Sequence, residues 1–189
     1  MNIVGISGNL TRPSRTRTLV DAILAEAEDR GLGVTQAFDI ADIGPELGTS
    51  LTREGAGRRV DEVLSAIERA DLLVAASPVY KASYTGLFKH LFDLLDPKAL
   101  EGRNVLLAAT GGSDRHALVI EHQLRPLFAF FGAHILPISL YAVNGDFVSA
   151  EELAPTIRSR IGRAVDQIGQ PAARGTAAPN RISLIQSVA

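Results

Sequence analysis

Five short apolar runs alternate with five segments of helical apolar spacing, and this alternation restricts the chain to few folds. The apolar runs are residues 2–6, 34–38, 72–76, 104–109 and 133–140. The helical segments are residues 15–30, 57–69, 87–95, 114–131 and 151–168. Repeated strand–helix units predict an α/β domain with a parallel sheet, helices on both faces and right-handed crossovers. Gly44, Pro45 and Gly48 predict a loop over residues 39–52.

Composition excludes several classes of protein. The chain has 189 residues, 46% of them hydrophobic and 21% charged, with a net charge of −2. That charge gives no broad electrostatic footprint for nucleic acid or an anionic membrane. Because there is no cysteine, disulfides, thiol catalysis and iron–sulfur clusters are excluded. We expect a cytoplasmic enzyme with one domain over residues 1–170 and a tail over residues 171–189, where Gly, Pro, Ala and Arg become frequent.

The loop after the first apolar run carries an unusual charge pattern. Arg12, Arg15 and Arg17 lie at the predicted start of the first helix, where the helix dipole disfavours cations. A bound phosphate would resolve this conflict, because backbone N–H groups at a helix start bind anions and Arg15 would add charged hydrogen bonds. The hydroxyl groups available to it are those of Ser7, Ser14, Thr16 and Thr18. The alternative is an ordinary serine-capped helix with solvated arginines.

Two further loops share this Gly/Ser/Pro character, at residues 77–86 and 110–113. All three loops follow a predicted strand, and ligands of open parallel sheets bind beyond the carboxyl ends of the strands. We therefore expect the three loops to meet at one site. The first loop matches neither the dinucleotide fingerprint nor a P-loop, so a mononucleotide such as FMN fits it best.

Together these motifs resemble the NADPH-dependent FMN reductase family. The matching motifs are Ser-Gly-Asn-x-x-x-Pro-Ser-Arg-Thr from Ser7, Ser-Pro-Val-Tyr-Lys-Ala-Ser-Tyr-Thr-Gly from Ser77, and Ala-Thr-Gly-Gly-Ser from Ala109. Within that family the chain is most similar to flavin reductases of two-component alkanesulfonate and methanesulfonate monooxygenase systems. The resemblance covers about residues 2–170 and implies a flavodoxin-like fold, with a five-stranded parallel sheet in the order 2-1-3-4-5.

The resemblance also implies a set of FMN-binding residues. The phosphate would be held by Ser7, Asn9, Ser14, Arg15 and Thr16. The ribityl chain and isoalloxazine would be bordered by Pro78, Val79, Tyr80 and Lys81. Backbone N–H groups would meet the polar edge of the ring from Thr110, Gly111, Gly112 and Ser113.

The implied activity is NAD(P)H-dependent reduction of FMN, in which the cofactors carry the chemistry and no side chain is an obligate acid or base. Reduced FMN would then leave for a partner flavin-dependent monooxygenase. One alternative is a quinone, azo-dye or metal-ion reductase of the same fold that retains its FMN. A flavodoxin-type electron carrier is disfavoured, because flavodoxins tend to be strongly acidic.

Pro126 lies inside the fourth helical segment, and its ring would clash with the carbonyl group of His122. A distortion is therefore expected at His122, and a π-bulge is one way to absorb it. In the sulfonate-system reductases an inserted Tyr or His at this place makes a π-bulge at the tetramer interface, so the resemblance places His122 at an interface near the flavin. The alternative is a simple kink with a surface imidazole. Arg115 is a candidate for binding the 2′-phosphate of NADPH, and the four histidines lack metal-ligand spacing.

Two helical segments are apolar on almost every side, which is typical of helices buried on every side. The first carries Leu87, Phe88, Leu91 and Phe92; the second carries Leu127, Phe128, Phe130 and Phe131. In a chain of this size we expect part of that surface to form subunit contacts, in a homodimer or a homotetramer.

Overall fold

A computed structural model describes residues 1–168 as a parallel sheet covered by helices on both faces. The strands are β1 (Asn2–Ser7), β2 (Val34–Asp39), β3 (Leu72–Pro78), β4 (Asn104–Gly111), β5 (His134–Ile135), β6 (Leu140–Val143), β7 (Phe147–Ser149) and β8 (Glu152–Leu153). The α-helices are α1 (Arg15–Asp29), α2 (Ile40–Thr49), α3 (Arg58–Arg69), α4 (Gly86–Asp93), α5 (Arg125–Phe130) and α6 (Pro155–Asp166). Short helical turns span Asp114–His116, Ile120–Leu124 and Asn144–Asp146.

The sheet has the strand order β2-β1-β3-β4-β5, and all of these neighbours pair in parallel. The order expected from the resemblance is therefore confirmed. Side chains alternate between the faces of a strand, so Val4 packs in the layer of α2 to α5, whereas Ile3 packs in the layer of α1 and α6. The central strand β3 is buried along its length up to Pro78, as its unbroken apolar run predicts.

The first helix begins and ends where its sequence indicates. Ser14 is the N-cap, and its Oγ accepts a hydrogen bond from the N–H of Arg17 at 3.1 Å. Gly31 has a φ of +67°, a left-handed conformation that glycine adopts without a Cβ clash, and it follows the helix end. The strand–loop–helix sequence that carries the arginine-rich loop is thus confirmed.

The loop predicted over residues 39–52 is wrong for most of its length, because α2 occupies Ile40–Thr49. Asp39 caps this helix by accepting the N–H of Ala41 at 3.2 Å. Ile40, Ile43 and Leu47 are buried at helical spacing, and their burial outweighs the hydrogen bond lost at Pro45. Gly44, Pro45 and Gly48 therefore lower the helix propensity of this segment but do not prevent the helix.

The last predicted strand and helix are also shorter than expected. The run over residues 133–140 is divided around Pro137, which has no N–H for a sheet ladder, into β5 and the start of β6. Strand β6 pairs with β4 and adds a sixth strand to the sheet. The last helix begins at Pro155 instead of residue 151, because Glu152–Leu153 pairs with Phe147–Ser149 in a small antiparallel hairpin.

The predicted tail, residues 171–189, lies outside the described residues. Across residues 1–168, none of the helices combines the length and the apolar character needed to cross a membrane.

Candidate functional site

Three loops meet at the carboxyl edge of the sheet, as the sequence predicts, and enclose a cavity of about 340 Å³. The first loop and the start of α1 contribute Asn9, Pro13, Ser14, Arg15 and Thr16. The second and third loops contribute Pro78, Val79, Thr110, Gly111 and Gly112. Nine of the thirteen residues expected to bind FMN therefore line one cavity.

The phosphate-binding part of this cavity is the amino-terminal turn of α1. The N–H groups of Arg15 and Thr16 have no acceptor within the helix, because they belong to its first turn. Nη1 of Arg15 donates to Oδ1 of Asn144 at 3.2 Å, and its guanidinium lies 5.9 Å from the ring centroid of Phe147. The first turn of α1 contains no acidic residue. Positive charge and free N–H groups thus coincide at one place, which is the donor set an anionic phosphate requires.

A buried hydrogen bond joins the first loop to the third. Oγ1 of Thr16 and Oγ1 of Thr110 are 2.6 Å apart, and both side chains are buried. The first loop is also tied to the second, because Oγ1 of Thr85 donates to the carbonyl of Gly8 at 2.7 Å. These hydroxyl groups therefore link the three loops, in addition to the packing of Leu10, Val79 and Tyr84 against the core.

Ser7 and Asn9 lie at the start of the first loop. Ser7 is fully buried at the end of β1 and does not line the cavity. Its Oγ has no hydrogen-bond partner among the described residues. The side-chain amide of Asn9 donates to the carbonyl of Thr11 and lines the cavity. A buried hydroxyl without a partner is uncommon, and that of Ser7 lies behind the cavity rather than in its lining.

The second loop contributes only its first residues to the cavity. Pro78 and Val79 line it, and the N–H of Val79 donates to the carbonyl of Thr110 at 2.8 Å. Tyr80 is exposed and Lys81 is also at the surface, and neither lines the cavity. Both lie in the tight turn that follows.

The third loop presents glycine backbone to the cavity. A Cβ at Gly112 would meet no atom of residues 1–168 within 4 Å, so its backbone is open on that side. Ser113 does not line the cavity, and its carbonyl accepts the hydroxyl of Tyr141 at 2.7 Å. Burial, together with the charge of Asp114, raises the pKa of Tyr141, which keeps this hydroxyl a donor. The backbone edge at Gly112 is the surface on which a flat ring could lie closely.

Sequence reasoning missed three lining residues: Pro13, Asn144 and Ala150. Pro13 lay within a recognised motif but carried no polar group. Asn144 and Ala150 belong to a segment after β6 that has no motif. The only available signal for Asn144 was its place in an Asn-Gly-Asp run after an apolar strand, which indicates a turn at the edge of the sheet.

The distortion expected at His122 is present. A π-turn spans Ile120–Leu124, and it is closed by a hydrogen bond from the N–H of Arg125 to the carbonyl of Ile120. Arg125 also binds both carboxylate oxygens of Glu121, and this hydrogen bonding lowers the pKa of Glu121. The predicted π-bulge is thus confirmed by the described residues.

His122 is exposed and faces a separate apolar groove of about 530 Å³, rather than the cavity at the sheet edge. Tyr84, Pro126 and Phe130 also line this groove, and the side chain of Phe130 is 70% exposed. Phe88, Phe92, Phe128 and Phe131 are buried in the chain's own core, where neighbouring rings pack 4.9 to 6.5 Å apart. Most of the apolar surface of these two helical segments is therefore core, and Phe130 is its most exposed part.

A family model for NADPH-dependent FMN reductases matches residues 1–147. The chain belongs to this family. It is an FMN reductase whose cofactors are FMN and a nicotinamide dinucleotide.

Curated relatives support the assignment over most of the chain. The reductase is 47% identical to the NADH-dependent FMN reductase SfnF of Pseudomonas fluorescens, over 88% of this chain and 89% of that protein. It is also 47% identical to an FMN reductase (NADPH) of Pseudomonas aeruginosa, over 87% of this chain and 89% of that protein.

Solved structures agree on the fold. The apo form of an NADH:FMN oxidoreductase (EMOB) is 33% identical, with a TM-score of 0.78 over 88% of this chain and 87% of that one. An archaeal flavodoxin is only 10% identical, with a TM-score of 0.58 over 90% of this chain and all of that one, and it supports the fold alone.

Proposed function

We propose that this reductase transfers hydride from NADH or NADPH to FMN and releases the reduced FMN to a separate flavin-dependent monooxygenase of organosulfur metabolism. The observation that carries the proposal is the cavity at the sheet edge, which joins the arginine-bearing start of α1, with its free N–H groups, to an open glycine backbone. The sequence resemblance to sulfonate-system reductases supports the choice of partner, as do relatives named SfnF and SfnE at 46 to 48% identity.

On this proposal the first loop and α1 bind the FMN phosphate. The N–H groups of Arg15 and Thr16 and the hydroxyl of Ser14 donate to its oxygens, and Arg15 adds a charge-assisted hydrogen bond. Asn9 lines the cavity beside these groups and would also contact the phosphate, whereas Ser7 is buried behind them at the end of β1. Asn144 orients the Arg15 side chain through its 3.2 Å hydrogen bond.

The remaining residues position the flavin ring. Pro78 and Val79 form one wall, followed by Tyr80 and Lys81 at the rim, and the backbone of residues 110–113 meets the polar edge of the ring. Bound FMN supplies the hydride acceptor and the electron-carrying chemistry. The protein contributes orientation, because alignment of two reactants at close range supplies much of the rate.

The cavity suits a ligand that leaves after turnover. Arg15, Gly112 and Asn144 line it and are themselves exposed, so a ligand in the cavity would face solvent along one side. The lining residues include no Asp, Glu, His or Lys side chain within the described part of the chain. Hydride transfer between a nicotinamide and a flavin requires no such group.

Assembly is the remaining part of the proposal. The apolar groove beside His122, together with the exposed Phe130, supports a homodimer or a homotetramer in which this face meets a second subunit.

The test is oxidation of NADH and of NADPH, followed at their absorbance band with and without added FMN. We expect turnover that depends on added FMN, and transfer of reduced FMN to a monooxygenase in a coupled assay. If oxidation is independent of added FMN and requires a quinone, an azo dye or a metal ion, the retained-flavin reductase replaces this proposal.

A further inference from the structure

The tight turn Tyr80–Ser83, directly after the cavity wall, has a strained backbone. The N–H of Tyr80 donates to the carbonyl of Ser83 at 2.8 Å, and the N–H of Ser83 donates back to the carbonyl of Tyr80 at 3.0 Å. Its two central residues, Lys81 and Ala82, have φ values of +50° and +65°. Turns of this kind usually carry Asn-Gly, because a Cβ atom is unfavourable in the left-handed region. Two such residues in succession indicate backbone strain, so contacts with the surrounding structure are needed to maintain this conformation.

This turn closes the segment that forms one wall of the cavity. Pro78 and Val79 line the cavity immediately before it. After it, the N–H of Thr85 donates to Oγ of Ser77 at 3.2 Å, which closes the loop at its base. The base of the second loop is therefore fixed to the sheet. The conformation of its tip depends on the hydrogen bonds within the turn and on the contacts that the turn makes.

One side-chain contact holds the end of the turn. Oγ of Ser83 donates to Oε1 of Gln123 at 3.1 Å, across 40 residues of sequence, and both side chains are half-buried. Gln123 lies within the π-turn Ile120–Leu124. A π-turn places more residues in one turn than an α-helix does, so the side chains inside it project at different angles from those of an α-helix. The direction of Gln123 toward Ser83 thus depends on the π-turn.

We propose that Gln123 is a positioning residue, which holds the strained turn Tyr80–Ser83 in the conformation that shapes the flavin-binding wall. This inference rests on the proposed assignment of the cavity to FMN. Without the contact to Gln123, the turn relaxes from its left-handed conformation and the wall at Pro78 and Val79 loses its fixed position. The π-turn then acts on the flavin site within one subunit, through a single hydrogen bond.

The first test compares Gln123→Leu, which removes the acceptor, with Gln123→Glu, which keeps it. In flavin-free protein we expect faster amide exchange at Tyr80 and Ser83 in Q123L, and exchange close to wild type in Q123E. In fluorescence titrations we expect Q123L to weaken FMN binding about tenfold, as the loss of one hydrogen bond predicts, with little change in Tm. Gln36→Leu, at an exposed position on the edge strand β2, is the matched control and should change neither measurement.

The second test is rescue by Ala82→Gly, which removes the Cβ strain inside the turn. Alone, A82G should change the Kd for FMN by less than about twofold, because Gln123 already keeps the turn in its conformation. In the Q123L background it should recover most of the lost affinity and slow the amide exchange again. If Gln123 instead stabilised another part of the protein, A82G would not restore the FMN affinity of Q123L.

The outcomes separate the two proposals. If Q123L binds FMN as tightly as wild type and its amide exchange at 80–83 is unchanged, the inference is overturned while the assignment of the cavity stands. If A82G fails to rescue Q123L, the inference is likewise overturned. If the wild-type protein binds no FMN, the proposed function fails, and the amide exchange of flavin-free Q123L still decides whether Gln123 holds the turn.

Discussion

Oγ1 of Thr16 lies 2.6 Å from Oγ1 of Thr110, and this buried hydrogen bond joins the start of α1 to the end of β4. The two residues are 94 positions apart in sequence. One belongs to the expected phosphate end of the site and the other to the expected ring end. This pair of hydroxyl groups therefore links the two halves of the cavity directly, in addition to the pairing of the strands that carry them.

Replacing both of these threonines should cost less stability than the sum of the two single replacements. Thr16→Val or Thr110→Val leaves the other buried hydroxyl without its partner, which we expect to lower the free energy of unfolding by about 1 to 3 kcal/mol. The double variant removes both polar groups and should be less destabilised than the sum of the two. Urea denaturation of the four proteins gives the coupling energy, and strict additivity would contradict a direct hydrogen bond. Thr49→Val, at an exposed hydroxyl, is the control.

Arg15→Gln should weaken the binding of FMN without affecting riboflavin, which has no phosphate. Loss of a charge-assisted hydrogen bond predicts a Kd for FMN raised about 10- to 100-fold. Fluorescence titration with both flavins measures the difference. Arg58→Gln removes a guanidinium of similar charge from an exposed pair with Glu62 and should change neither Kd. Equal weakening for the two flavins would place the phosphate away from Arg15.

Asp39→Asn should stabilise the protein at neutral pH. Burial raises the pKa of Asp39, despite the helix N–H that it accepts and the guanidinium of Arg12 at 3.7 Å. A raised carboxyl pKa in the folded state contributes stability below the ordinary aspartate pKa, and this contribution is lost as the pH rises through the raised value. The asparagine keeps the cap on Ala41 without the buried charge.

Urea denaturation at about pH 7 and about pH 4.5 tests this sign. The advantage of D39N over wild type should be larger at the higher pH and shrink in acid. Asp39→Ala loses the cap as well and should be less stable than D39N by about 1 kcal/mol. A D39N advantage that grows in acid would mean that the pKa of Asp39 is lowered, not raised.

Two glycines of the site should respond differently to alanine. A Cβ at Gly8 would lie 2.7 Å from Cδ2 of Phe88 and 3.1 Å from the carbonyl of Ala76, so Gly8→Ala should lower both Tm and FMN affinity. The Cβ of Gly112→Ala would meet no atom of the described part of the chain within 4 Å, so this variant should leave Tm unchanged and weaken FMN binding alone. If G112A binds FMN as wild type does, the ring does not approach this part of the third loop.

Much of the site could be predicted from the sequence, because its residues belong to short local motifs. Ser14 at the cap, arginines in the first helical turn and Gly111-Gly112 after an apolar strand each show in a few consecutive residues. The parallel order of the strands then brings their carboxyl ends together. Pro126 likewise predicted the distortion at His122, since a proline acts on the turn that precedes it.

The sequence by itself thus determined the α/β class, the three site loops and the position of the helix distortion at His122, since each follows from short-range spacing and backbone sterics. Only the tertiary structure decided that residues 40–49 form a helix, that Asn144 binds Arg15 and that Gln123 holds Ser83. These features depend on burial against distant elements and on contacts across 40 or more residues. Such contacts leave no local sequence pattern, because they depend on how distant parts of the chain pack together and not on the residues next to them.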